Sequence, residues 1–142
     1  MAVKILLVDD EELFVQALSE RLKTRDFKVE TANSGREALD KAKETTFDVI
    51  ILDMAMPGMD GMETQQELLK TNPDLQIIFL TGHATLEKGI DAVKQGAFDF
   101  IAKPVEFEKL LEKLDAAQNK KKNLDMKKSE QDIKNLMKKK GW

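Results

Sequence analysis

Three stretches of this chain are short, apolar and almost without alternation: Val3-Lys4-Ile5-Leu6-Leu7-Val8, Val49-Ile50-Ile51-Leu52 and Ile77-Ile78-Phe79-Leu80. Each breaks off at a polar residue, at Asp9-Asp10, Asp53 and Thr81 in turn, and a fourth run, Phe98-Asp99-Phe100-Ile101-Ala102, breaks off at Lys103-Pro104. Runs of this length with no polar side read as strands covered on both faces, the habit of parallel sheets. Parallel strands of one sheet end on the same edge. Residues nearly a hundred positions apart, Asp9 and Lys103, are then expected to become neighbours.

Between the runs lie patterns of helical period. Leu13, Phe14, Ala17, Leu18 and Leu22 recur at spacings of three and four after Asp9-Asp10-Glu11-Glu12, whose charges suit a helix N-terminus. Ala38, Leu39 and Ala42 follow an expected N-cap at Ser34. Met62, Leu68 and Leu69 mark a third helix that stops before Asn72-Pro73, and Ile90, Val93 and Ala97 a fourth with Gly96 as its C-terminal cap. From Glu106 a fifth helix carries Phe107, Leu110, Leu111, Leu114 and Ala117, and Lys121 and Leu124 keep the spacing, so this helix is expected to run on. Phe27-Lys28-Val29-Glu30-Thr31 alternates and fits an edge strand.

The order is therefore βα repeated five times. Right-handed crossovers put helices on both faces, and the expected fold is an open, doubly wound α/β domain with a five-stranded parallel sheet over residues 1–118. Its functional crevice should lie at the carboxyl ends of the strands.

Composition narrows the chemistry. A chain of 142 residues with 42% hydrophobic content supports one compact domain and has no room for a second. With no cysteine and a lone His83, a disulfide framework, a thiolate or histidine-rich metal site and a cysteine nucleophile are excluded. The N-terminus lacks a signal-peptide core and no apolar stretch approaches the roughly 20 residues that span a bilayer, so a soluble, cytoplasmic protein without membrane insertion is expected. Residues 1–118 carry a net −9 and residues 119–142 a net +6. The basic tail reads as a solvated helix, or as a segment for an acidic partner or for the acidic body itself. Nucleic acid is the weaker option, because no recognition fold or interleaved aromatics accompany the lysines, and Trp142 is a possible partner anchor.

Asp9, Asp10 and Asp53 would crowd three carboxylates into the crevice, and like charges at that range call for a cation. Mg²⁺ fits, since it takes hard oxygen ligands from one or two carboxylates and fills the rest with water and phosphate. Asp53 ends a strand that is otherwise apolar. A carboxylate there can act as nucleophile on phosphorus, with Lys103 to neutralise the phosphoryl oxygens and Thr81 to hydrogen-bond one. Gly82 leaves room beside such a group, Met56-Pro57-Gly58 fits a type II turn, and Lys103-Pro104 is a candidate cis peptide.

The segment Asp48-Val-Ile-Ile-Leu-Asp53-Met-Ala-Met-Pro-Gly-Met-Asp-Gly61, together with Val8-Asp9-Asp10-Glu11, Leu80-Thr81-Gly82 and Gly96-Ala-Phe-Asp-Phe-Ile-Ala-Lys103-Pro104, resembles the receiver domain of two-component response regulators. That resemblance covers about residues 1–118 and implies a CheY-like, flavodoxin-like fold. It implies that Asp53 takes a phosphoryl group from the phosphohistidine of a sensor histidine kinase or phosphotransfer protein. By the same resemblance Asp10, Asp53 and the backbone carbonyl of Ala55 ligate Mg²⁺, Asp9 acts through water, and Lys103 pairs with the phosphate. Thr81 turns toward the phosphate and Phe100 swings inward, altering the face of the fourth helix, fifth strand and fifth helix. That change would control an unidentified downstream partner or a phosphorylation-dependent homodimer. Ala55 and His83, beside the site, are expected to set the lifetime of the phosphoryl group.

Two other readings bear on the same residues. A phosphohydrolase resembling the haloacid dehalogenase group needs a second aspartate two residues past the nucleophile, where this chain has Ala55. A basic-tailed adaptor with an inert receiver is opposed by the complete set of acceptor residues.

Overall fold

The computed structural model describes residues 2–82 and 85–139; His83 and Trp142, singled out above, lie outside the described residues. The elements run β1 (Lys4–Val8), α1 (Glu12–Lys23), β2 (Lys28–Ala32), α2 (Gly35–Glu44), β3 (Val49–Asp53), α3 (Gly61–Thr71), β4 (Gln76–Thr81), α4 (Leu86–Lys94), β5 (Asp99–Ala102) and α5 (Phe107–Lys139). All strand pairs are parallel and the sheet order is β2-β1-β3-β4-β5, so the chain reverses its direction of travel between β1 and β3. The carboxyl ends of those two strands bracket the crevice.

The unalternating runs are explained by two helical layers. Leu6, Val8, Ile50, Leu52, Ile77 and Phe79 pack with Ala38, Leu68 and Ala92 on the side of α2, α3 and α4. The intervening Ile5, Leu7, Val49, Ile51, Ile78 and Leu80 pack with Val15, Leu18, Leu22, Phe107, Leu110 and Leu114 on the side of α1 and α5. Every position from Ile5 to Val8, Val49 to Leu52 and Ile77 to Leu80 therefore faces apolar surface. β2 is an edge strand, as its composition implies, and its register is Lys28 to Ala32 rather than Phe27 to Thr31.

Local signals hold where a hydrogen bond enforces them. Ser34 caps α2 by accepting from Glu37 N at 3.1 Å, and Asp60 caps α3 by accepting from Glu63 N at 2.9 Å. α3 ends before Pro73, Gly96 at φ +118° follows α4, and Gly58 at φ +76° makes the turn after β3. The Lys103-Pro104 bond is cis.

Two helices present other faces than their apolar spacing implies. In α1 the buried residues are Val15, Leu18, Ser19 and Leu22, while Leu13 is 83% exposed and Ala17 is also exposed. The sequence offers two overlapping stripes that share Leu18 and Leu22, and packing selects the one through Val15. In α4 only Gly89 and Ala92 are buried, whereas Leu86, Ile90 and Val93 are exposed. A methyl group at Gly89 would lie 2.9 Å from Thr81 Cγ2 and 3.0 Å from Phe100 Cγ, so the α4 backbone rests directly on those two side chains. Small residues allow that approach and larger ones are left outside.

α5 runs unbroken for 33 residues, about 50 Å at ~1.5 Å per residue. Its last buried residue is Ala117; beyond it Lys121 meets Asp48 at 3.4 Å and Lys128 pairs with Asp74, and residues 125–139 are exposed. Among the described residues no helix is long and apolar enough to cross a membrane.

Candidate functional site

Each strand end delivers one group to the crevice. β1 leads into Asp9, β3 ends in Asp53 and β4 in Thr81, and Lys103 follows β5. Asp9, Asp53 and Thr81 are buried, while Asp10 is exposed. Asp9, Asp10 and Asp53 each offer an oxygen within 4.8 Å of the others. Oxygens this close are compatible with one octahedral cation, whose opposed ligands at ~2.1 Å stand about 4.2 Å apart. The three carboxylates are thus brought together as their positions in the sequence imply.

Lys103 Nζ lies 2.8 Å from Asp9 Oδ2, 3.2 Å from Glu11 Oε1 and 3.8 Å from Asp53 Oδ1. Both oxygens of Asp9 are engaged, because Oδ1 accepts from the backbone N–H of Glu11 at 3.0 Å. Glu11 was not singled out in the sequence as a partner of Lys103; only its place beside Asp9-Asp10 hinted at it. Phe14, expected in the core stripe of α1, is half-buried with its ring centre 4.7 Å from the Lys103 ammonium.

The electrostatics follow from burial in a negative pocket. Burial raises the Asp53 carboxyl, the charges of Asp9 and then Asp10 raise it further, and Lys103 and a backbone hydrogen bond from Ala55 pull it down; the balance stands at about 7. For Lys103, burial pulls downward, but the hydrogen bond to Asp9 and the charges of Asp53 and Asp9, with Glu11 behind them, outweigh it and hold the ammonium above the ordinary lysine value. The site thus keeps its cation charged and its central carboxylate poorly ionised without further positive charge.

Thr81 is fully buried and its Oγ1 has no hydrogen-bond partner among the described residues. An orphaned hydroxyl of this kind carries a desolvation cost of about 1–3 kcal/mol, which a polar group arriving in the crevice would offset. Phe100, half-buried in β5, adjoins Thr81 across the sheet edge, since Thr81 pairs with Ala102 and Phe79 with Phe100. Ala55 is exposed at the mouth. Gly61 is required by close approach, because a Cβ there would stand 2.7 Å from the Asp53 carbonyl oxygen and 2.9 Å from Met54 Cα. A Cβ at Gly82, by contrast, would meet nothing within 4 Å among the described residues.

Residues 5–115 match the response regulator receiver domain family. The transcriptional regulatory protein ZraR of Klebsiella oxytoca is 36% identical over 108 residues, 76% of this chain and 24% of that protein. The response regulator MprA of Mycolicibacterium vanbaalenii is 36% identical over 116 residues, 82% of this chain and 50% of that protein. In three dimensions a response regulator receiver domain protein from Clostridium thermocellum superposes with a TM-score of 0.83 at 39% identity, covering 86% of this chain and 98% of that one. The chain belongs to the receiver domain family of two-component response regulators and has its CheY-like, flavodoxin-like fold. Receivers are phosphoacceptor signalling domains with an acidic pocket for Mg²⁺. The chain spans a quarter to a half of the curated relatives named here.

Proposed function

We propose that Asp53 is the phosphoacceptor, and that a sensor histidine kinase or a phosphotransfer protein supplies the phosphoryl group from a phosphohistidine. An Asp53 oxygen attacks phosphorus, the bond from phosphorus to the donor's imidazole nitrogen breaks, and that nitrogen keeps the electron pair. The observation that carries this reading is the Lys103 ammonium 3.8 Å from Asp53 Oδ1 inside a cluster of three carboxylates. An ammonium in that position balances charge that develops on the transferring oxygens.

The donor set fits Mg²⁺. Asp10, Asp53 and the Ala55 carbonyl would hold it, with Asp9, whose oxygens each already accept a hydrogen bond, acting mainly through water. The bound ion would supply the positive charge that brings Asp53 into its ionised, nucleophilic form. Thr81 Oγ1, which has no partner among the described residues, turns to donate to a phosphoryl oxygen, and Phe100 swings inward with it. Because α4 rests on Thr81 and Phe100 at Gly89, that movement reaches the exposed Leu86, Ile90 and Val93 and the β5–α5 face, which we assign as the surface for a downstream partner or homodimer.

Hydrolysis of the aspartyl phosphate by water ends the signal, with Ala55 and His83 setting its lifetime. Unchanged dephosphorylation in Ala55→Asn and His83→Ala would contradict that role. The receiver unit we place at residues 1–118, with 119–142 as its basic C-terminal extension. Intact mass after incubation with a small phosphodonor and Mg²⁺ tests the whole reading: a single phosphoryl group labile in acid and base, absent from Asp53→Ala, is expected. No gain of mass under conditions that label another receiver would overturn it.

A further inference from the structure

Lys103 is pulled in two directions. Asp9 and Asp53 hold its ammonium in the crevice, while Glu11, whose side chain is 64% exposed, draws it toward solvent. The side chain is nevertheless only 21% exposed, and the Phe14 ring lies 4.7 Å from Nζ. Phe14 sits in the first turn of α1, one residue past the exposed Leu13, and packs only partly against the core. A ring face attracts an ammonium by its quadrupole and leaves the three N–H donors free for oxygen acceptors. No carboxylate could take that place without competing for those donors.

We propose that Phe14 is a positioning residue for phosphoryl transfer: its ring holds the Lys103 ammonium in line with Asp53 and against the outward pull of Glu11. This rests on the phosphoacceptor reading of Asp53. A purely apolar side chain of similar size fills the space but offers no such attraction, and an indole offers more. Phe14→Leu and Phe14→Trp therefore separate the two roles of the residue, packing and cation holding.

The test is the initial rate of phosphorylation of the full chain by acetyl phosphate with Mg²⁺, followed by intact mass, for wild type, Phe14→Leu and Phe14→Trp, each also combined with Lys103→Met. Phe14→Leu should lower the rate about three- to tenfold, Phe14→Trp should hold it at or above wild type, and neither should change it once Lys103 is gone. Equal rates in wild type and the two Phe14 variants that keep Lys103 would overturn the proposal. So would a loss that Trp fails to restore, or one that persists without Lys103. Should wild type gain no phosphoryl group, the phosphoacceptor reading fails instead, and the ring's role is read from the Lys103 ε-methylene proton resonances. These should be shifted upfield in wild type and Phe14→Trp and unshifted in Phe14→Leu; unshifted resonances in wild type would refute it.

Discussion

Replacing Asp53 by Asn should stabilise the metal-free protein, and by an amount that grows with pH. The folded carboxyl titrates at about 7 against an ordinary 3.8, because it is buried beside Asp9 and Asp10 and only partly compensated by Lys103. A raised carboxylate is the unfavourable case. The folded state holds its proton while the unfolded state has released it, so stability falls as pH climbs from 3.8 toward 7 and levels off above. With those two values the penalty is about 2 kcal/mol at pH 5 and about 4 kcal/mol at pH 8, a difference of about 2–3 kcal/mol that Asn, which cannot ionise, does not carry. For a domain of this size that difference corresponds to about 8 °C in Tm. Thermal unfolding of wild type and Asp53→Asn in chelator at pH 5 and pH 8 measures it, and millimolar Mg²⁺ should narrow the gap at pH 8. A gap that is the same at both pH values, or that Mg²⁺ leaves untouched, would refute the electrostatic reasoning.

Thr81→Val removes an orphaned buried hydroxyl at nearly constant volume and should raise stability by about 1 kcal/mol in urea unfolding, while Asp53 still accepts a phosphoryl group. Gly61→Ala forces a methyl group against the Asp53 carbonyl oxygen and Met54 Cα, and should cost about 2–3 kcal/mol in the same assay and slow phosphorylation with it. A chain ended after Leu124 loses mainly the surface pair between Lys128 and Asp74. Its Tm should stay within about 2 °C of the full chain, in keeping with a receiver unit that closes near Ala117.

Sequence patterns were reliable where burial is two-sided. Ile5 to Val8, Val49 to Leu52 and Ile77 to Leu80 face apolar helices on both faces, so no polar residue interrupts them and their ends point unambiguously to Asp9, Asp53 and Thr81. The inward faces of α1 and α4 were not legible in this way. α1 carries two overlapping stripes, and α4 turns inward the two smallest residues of its middle, Gly89 and Ala92, because its backbone touches Thr81 and Phe100. Apolar spacing marks the wrong side of such a helix. Gln65 escaped for a related reason: it reads as polar surface, yet it is fully buried and its Nε2 donates to the Ala92 carbonyl at 3.1 Å. At the site, the meeting of Lys103 with Asp9 and Asp53 followed from strand ends alone, whereas its contacts with Glu11 and Phe14 depend on how the first turn of α1 leaves the sheet.

The assignment of Asp53 as phosphoacceptor is tested most directly by reducing the phosphorylated protein with borohydride and sequencing its peptides by mass spectrometry. An aspartyl phosphate is converted to homoserine, and homoserine at position 53 alone is the predicted result. Homoserine at position 9 or 10, or label that resists reduction and maps to another residue, would contradict it.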